Sequence, residues 1–211
     1  MLQNTISDRI VSVVKFSGKE GERTMSEQHA HKEANAGPLG LLGFGMTTVL
    51  LNLHNVGIMP MSVVILAMGI MVGGFAQIVA GIMEFKAGNT FSATAFCAYG
   101  SFWWSLVLIL VNPSALGAEA ADGTSMGFYM ILWAAFTVFM FIGTVKANHA
   151  TQIIFGTLIV LFVLLAIENF TGSHPVGVAA GVVGIICGAA AIYTSVANIV
   201  DGEFNKPIMP M

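Results

Sequence analysis

The sequence predicts an all-α membrane protein of six transmembrane helices, and three observations carry that reading. Hydrophobic residues make up 56% of the chain and charged residues only 9%, with a mean hydropathy of +0.83. A soluble domain is nearer a quarter charged. Six apolar runs each reach about 20 residues, the length a helix needs to cross a bilayer. All eight Lys and Arg residues fall on one side of those runs.

Residues 1–36 are polar and balanced, with five basic and five acidic residues. They are expected to form a cytoplasmic segment. Disorder is the expected state of such a terminus; the alternative is a short amphipathic turn at the membrane surface, for which Ile6, Ile10, Val13 and Val14 have the spacing. Lys19, Glu20, Gly21 and Glu22 have codons that can be purine-rich, as a bacterial ribosome-binding site is, and they shortly precede Met25. A translation start at Met25, leaving residues 1–24 untranslated, is the expectation set against a genuine tail.

The runs lie near 38–57, 62–84, 91–112, 125–145, 149–168 and 175–200, and they make residues 37–202 one membrane domain, followed by a tail at 203–211. Turn formers separate them: "NVGIMP", "KAGNT", "NPSALGAEAADGT", "KANH" and "NFTGSHP". No soluble domain fits between the runs, so any path must be built from the helices. Arg9, Lys15, Lys19, Arg23 and Lys32 precede the first run, while Lys86, Lys146 and Lys206 follow the second, fourth and sixth. The positive-inside rule puts that side, and both termini, in the cytoplasm of a cell whose inner (plasma) membrane holds the protein.

Three spans per half with both ends inside suits an inverted three-plus-three helix repeat. A shift of 84 residues pairs "GFGM" (43–46) with "GFYM" (127–130), Glu84 with Glu168, Gly88 with Gly172 and Gly100 with Gly184. Most other positions do not pair. Gly69 and Gly73, and the ridge Gly177, Gly181, Gly184 and Gly188, have the spacing that lets helix backbones approach in lipid.

The first run carries polar residues that hydrocarbon penalises unless they find partners or water. Phe44, Thr48, Asn52 and Asn55 share one helical face, with Thr47, Leu51 and His54 on a neighbouring strip. A single Thr hydroxyl is ordinarily bonded to the carbonyl four residues earlier; an aligned set points to a pathway for a polar solute. His54 and Asn55 also suit an interfacial position. Gln77 is mid-membrane, and Glu84 lies seven residues on, on the same face. Glu84 and Glu168 can cap helix ends or pair with Lys, and a buried carboxylate is also a candidate proton carrier. Tyr99, Ser101 and Phe102 are central in the third run; Trp103 and Trp104 read as packing or belt residues.

No nucleophile–base pair, metal spacing or phosphate loop is present, so neither an enzyme nor a cofactor is expected. Cys97 and Cys187 fall inside apolar runs and read as small buried hydrophobes. No basic cluster points to nucleic acid.

Four blocks carry a family resemblance: "NAGPLGLLGFGMTTVLLNLHNVG" (35–57), "ILAMGIMVGGFAQIVAGIMEFKAGNTFSATAFCAYGSFWW" (65–104), "FMFIGTVK" (139–146) and "CGAAAIY" (187–193). They resemble the acetate uptake, or succinate–acetate permease, family of the YaaH/SatP type. The family signature reads N-P-A-P-L-G-L. Asn35, Pro38, Leu39, Gly40 and Leu41 match it, while Ala36 and Gly37 depart from it. The resemblance implies a homo-hexamer of six-helix protomers in membrane lipid. It implies transport of acetate and succinate, by proton symport or as an anion channel. It places a constriction on Phe44, Tyr99 and Leu158, the last of which the residues alone gave no reason to choose. On this reading Thr47, Thr48, Asn52, His54, Asn55, Gln77 and Ser101 line the path. Glu84 is the candidate for proton coupling. The start of the first helix, at Asn35–Pro38, would offer free N–H groups to an anion at the inner mouth. The alternative is a neutral-solute channel of the urea/amide type.

Overall fold

Each apolar run becomes a helix, bounded by the polar and glycine-containing turns that separate them. The computed structural model describes residues 34–111 and 117–210. The expectations for Met25 and for Ile6, Ile10, Val13 and Val14 lie outside the described residues. Six long helices follow: α1 Gly37–Asn55, α2 Val63–Lys86, α3 Thr90–Val111, α4 Gly123–Gly143, α5 His149–Thr171 and α6 His174–Phe204. No strand occurs among the described residues.

The helix ends follow local chemistry. Pro38 opens α1, where its missing N–H removes no helical bond. Asp122 Oδ1 accepts from Ser125 N at 2.7 Å and Asn148 Oδ1 from Thr151 N at 2.9 Å, starting α4 and α5. Gly172 closes α5 at φ 66°, a conformation that favours glycine.

Five of these helices, α2 to α6, are long and apolar enough to cross a membrane. The exception, α1, is the polar-striped helix; Asn52, His54 and Asn55 in its last two turns lower its hydropathy. Side chains such as Val63, Leu132 and Phe139 point outward, as a lipid-facing surface requires.

α2 contains a π-helical stretch over Gly69–Ala76. The adjoining face of α3 supplies a cause. A methyl on Gly73 would lie 2.8 Å from the Trp103 ring, and one on Gly74 would overlap Trp104. The widened turn exposes backbone carbonyls that lipid cannot satisfy. Trp104 Nε1 donates to the Ile70 carbonyl at 2.9 Å, and Thr47 Oγ1 donates to the Met68 carbonyl at 3.5 Å.

α1 lies along α6. A Cβ on either Gly45 or Gly188 would stand 2.7 Å from the other residue's carbonyl oxygen. Ser195 Oγ on α6 donates to the Pro38 carbonyl at 2.6 Å and holds the start of α1. After α6 the chain turns at Asn205 and runs back. Asp201 Oδ1 accepts from Ile208 N and Met209 N, and Tyr193 Oη donates to the Pro210 carbonyl.

Candidate functional site

Among the described residues, two neighbouring cavities lie between the helices. The larger, about 380 Å³, is bordered by Thr48, Asn52 and Asn55 of α1, by Leu106 of α3, by Met130 of α4 and by Glu168 of α5. The smaller, about 30 Å³, is bordered by Leu41, Gln77, Ala95, Tyr99 and Phe155. Phe44 and Leu158 border both. Because Leu41 precedes Phe44 on α1 and Asn52 follows it, the cavities extend in opposite directions from these two side chains.

Between them sits an aromatic layer. The Phe44 and Tyr99 ring centroids are 6.0 Å apart, and Tyr99 is also 5.5 Å from Phe136 and 6.2 Å from Phe155. Phe44, Tyr99 and Leu158 are all buried in one apolar cluster. The Tyr99 hydroxyl donates to Thr137 Oγ1 at 3.0 Å, which fixes its ring. Tyr99 thus presents an apolar ring to the smaller cavity while its polar tip is committed elsewhere.

The polar stripe of α1 faces the larger cavity. Thr48 Oγ1 donates to the Phe44 carbonyl at 2.7 Å, Asn52 Nδ2 to the Thr48 carbonyl at 2.8 Å, and Asn55 Nδ2 to Asn52 Oδ1 at 3.0 Å. Each group has a partner within the helix, which is how an apolar environment tolerates them. Gly184 of α6 closes the other side of Asn52, since any Cβ there would overlap the amide. His54 Nδ1 contacts the Met59 carbonyl at 3.1 Å; a carbonyl only accepts, so Nδ1 carries the hydrogen and Nε2 is the basic nitrogen. No Lys or Arg borders the cavity among the described residues.

Other expected residues are placed differently. Thr47 is fully buried against α2 and borders neither cavity; its hydroxyl donates to the Gly43 carbonyl at 2.8 Å. Ser101 lies on the exposed face of α3 and donates to the Cys97 carbonyl at 2.8 Å. Helical spacing put Ser101 two residues from Tyr99, and two residues turn a helix by roughly 200°. Gln77 borders the smaller cavity at 1% exposure, and its Oε1 has no hydrogen-bond partner among the described residues.

At the start of α1, Asn35 Oδ1 accepts from Gly37 N at 2.9 Å. Glu84 lies beside the same residue, its Oε1 3.8 Å from where a Gly37 Cβ would stand. Glu84 Oε2 accepts from Asn89 Nδ2 at 2.6 Å. The protein's own acceptor and carboxylate therefore occupy the helix end expected to be open to an anion. Gly40 packs on the Phe96 ring, Leu41 reaches the smaller cavity, and Pro38 and Leu39 border a surface groove with Asn198 and Glu203.

Glu168 is the cavity residue that sequence reasoning left among helix-end groups. It borders the larger cavity beside Asn169, and its carboxylate contacts Gly177 in the first turn of α6. The signal was present in the pairing of Glu84 with Glu168. Spacing along one helix does not reveal which neighbour a glycine admits. Among the described residues, no three His, Cys, Asp or Glu side chains converge as a metal site would require.

The family model described as GPR1/FUN34/yaaH matches residues 17–210. The succinate-acetate/proton symporter SatP of Escherichia coli (strain K12) is 50% identical over 180 residues, covering 85% of this chain and 96% of that protein. Ammonia transport outward protein 2 of Saccharomyces cerevisiae is 37% identical over 186 residues, covering 85% of this chain and 66% of that protein. A solved structure of the bacterial acetate channel SatP superposes with a TM-score of 0.82 at 50% identity, covering 85% of this chain and 99% of that one.

Proposed function

Since this chain belongs to the GPR1/FUN34/yaaH family, we propose that it carries acetate, and with it succinate, across the membrane through each protomer. The observation that carries this reading is that Phe44 and Leu158 border both cavities. A small carboxylate would enter the larger cavity along Thr48, Asn52, His54 and Asn55. It would pass the Phe44–Tyr99–Leu158 layer and leave past Gln77. Hydroxyl and amide groups replace part of its water, while apolar side chains set the width. A site that conducts must release what it binds, and a path without a fixed cation favours fast exchange.

The same reading makes all six helices membrane-spanning, with residues 1–36 and 203–211 on the cytoplasmic side of the inner membrane, where Lys86, Lys146 and Lys206 also lie. An inverted three-plus-three repeat is supported by Gly88 and Gly172. Both have positive φ, 78° and 66°, and α3 and α6 each begin two residues later. The predicted glycine ridges pack inside the chain, so a hexamer would be built on the exposed apolar side chains, such as Val63, Leu132 and Phe139. Glu84, buried beside the inner mouth, is the group through which a proton would be coupled.

Labelled acetate should enter proteoliposomes containing the purified protein at least about tenfold faster than protein-free vesicles, a barrier difference of about 1.4 kcal/mol. Labelled urea should not. Urea influx without acetate influx would establish the neutral-solute alternative. An ammonium arm tests the cargo named for the yeast relative.

A further inference from the structure

We propose that Glu168, flanked by His54 and His174, is a charge filter at the wider mouth, one that holds back dicarboxylate dianions more than monocarboxylates. The inference rests on the transport reading above. Glu168 borders the larger cavity near the end of α5, at the end of the path away from Tyr99. Its carboxylate lies against Gly177 in the first turn of α6, where the helix dipole favours negative charge. A larger residue at Gly177 would displace it. The helix start offsets part of the cost of placing a carboxylate in a cavity that an anionic cargo must enter.

Every element around the cavity contributes to its lining. α1 supplies His54 with Nε2 as the basic nitrogen, and α6 supplies His174 at its first position; both act electrostatically on Glu168. α5 adds the neutral Asn169. Met61, Leu110 and Met126 are uncharged contributions from the α2, α3 and α4 sides. Asp122 caps α4, and hydrogen bonds from Ser125 hold its carboxyl below the usual range, so it stays ionised at neutral pH. Gly123, the next residue, packs against the Asn169 carbonyl.

With Glu168 and Asp122 ionised, the mouth is negative. A dianion then feels twice the repulsion of a monoanion at equal distance. A Glu168 that merely stabilised the start of α6 would not distinguish substrates by charge.

Succinate and monomethyl succinate are nearly equal in length and differ by one charge at about pH 7.5. In proteoliposomes at low salt, Glu168→Gln should raise the ratio of succinate to monomethyl succinate influx about fivefold. Added salt should shrink the change, and Glu168→Asp should restore the parent ratio. Equal ratios for parent and Glu168→Gln at about pH 7.5, with monomethyl succinate entering both, would overturn the filter. Absence of any carboxylate influx in the parent would instead remove the transport reading.

Discussion

Replacing Phe44 with Ala should raise succinate influx relative to acetate by about tenfold, equivalent to about 1.4 kcal/mol of barrier. Phe44 is 6% exposed, and its ring stands 6.0 Å from Tyr99 at the junction of the two cavities. Removing the ring joins the cavities and widens the layer. A four-carbon dicarboxylate gains more from that width than a two-carbon acid, which already fits. The same deletion of a buried aromatic should cost about 3–5 kcal/mol of stability. Flux is therefore to be compared only in protein that elutes as one assembled species. A succinate-to-acetate ratio equal to the parent's would place the narrowing elsewhere.

The second large effect is on assembly of the fold. Gly188→Leu should lower stability by about 3 kcal/mol or more, because the new side chain meets backbone that cannot move aside. A Cβ at Gly188 would be 2.7 Å from the Gly45 carbonyl oxygen and from a Val49 methyl. The resulting separation of α1 from α6 would also move Asn52 away from Gly184. Gly202 lies on the same helix with nothing within 4 Å of its would-be Cβ. Gly202→Ala should therefore leave the midpoint of thermal aggregation in detergent within a few degrees of the parent. Parent-like thermal behaviour for Gly188→Leu would contradict the close approach of α1 and α6.

Much of this organisation was legible in the residues, because lipid imposes strong rules. Each apolar run matches a helix to within a few residues; the run at 38–57 corresponds to Gly37–Asn55 and that at 149–168 to His149–Thr171. Helical spacing grouped Phe44, Thr48, Asn52 and Asn55, and all four border the larger cavity. It also drew in Thr47, which turns toward the carbonyl of Met68 at the π-helical stretch of α2. That stretch packs on the tryptophans of α3, a contact between helices that no local pattern encodes. The position of Ser101 on the outer face and of Glu168 in the cavity depend likewise on how helices rotate against one another. The tail bound back by Asp201 and Tyr193 was read only as a tail.

The central claim is that the cargo crosses between the two cavities at Phe44, Tyr99 and Leu158. Its most direct test is Leu158→Cys in proteoliposomes, treated with a small positively charged methanethiosulfonate reagent. Leu158 borders both cavities, whereas Cys187 is buried and Cys97 borders neither. Acetate influx should fall about tenfold or more, recover on reduction of the mixed disulfide, and remain unaffected in the treated parent. Unchanged acetate influx through protein shown by mass measurement to be modified at that position would contradict the account.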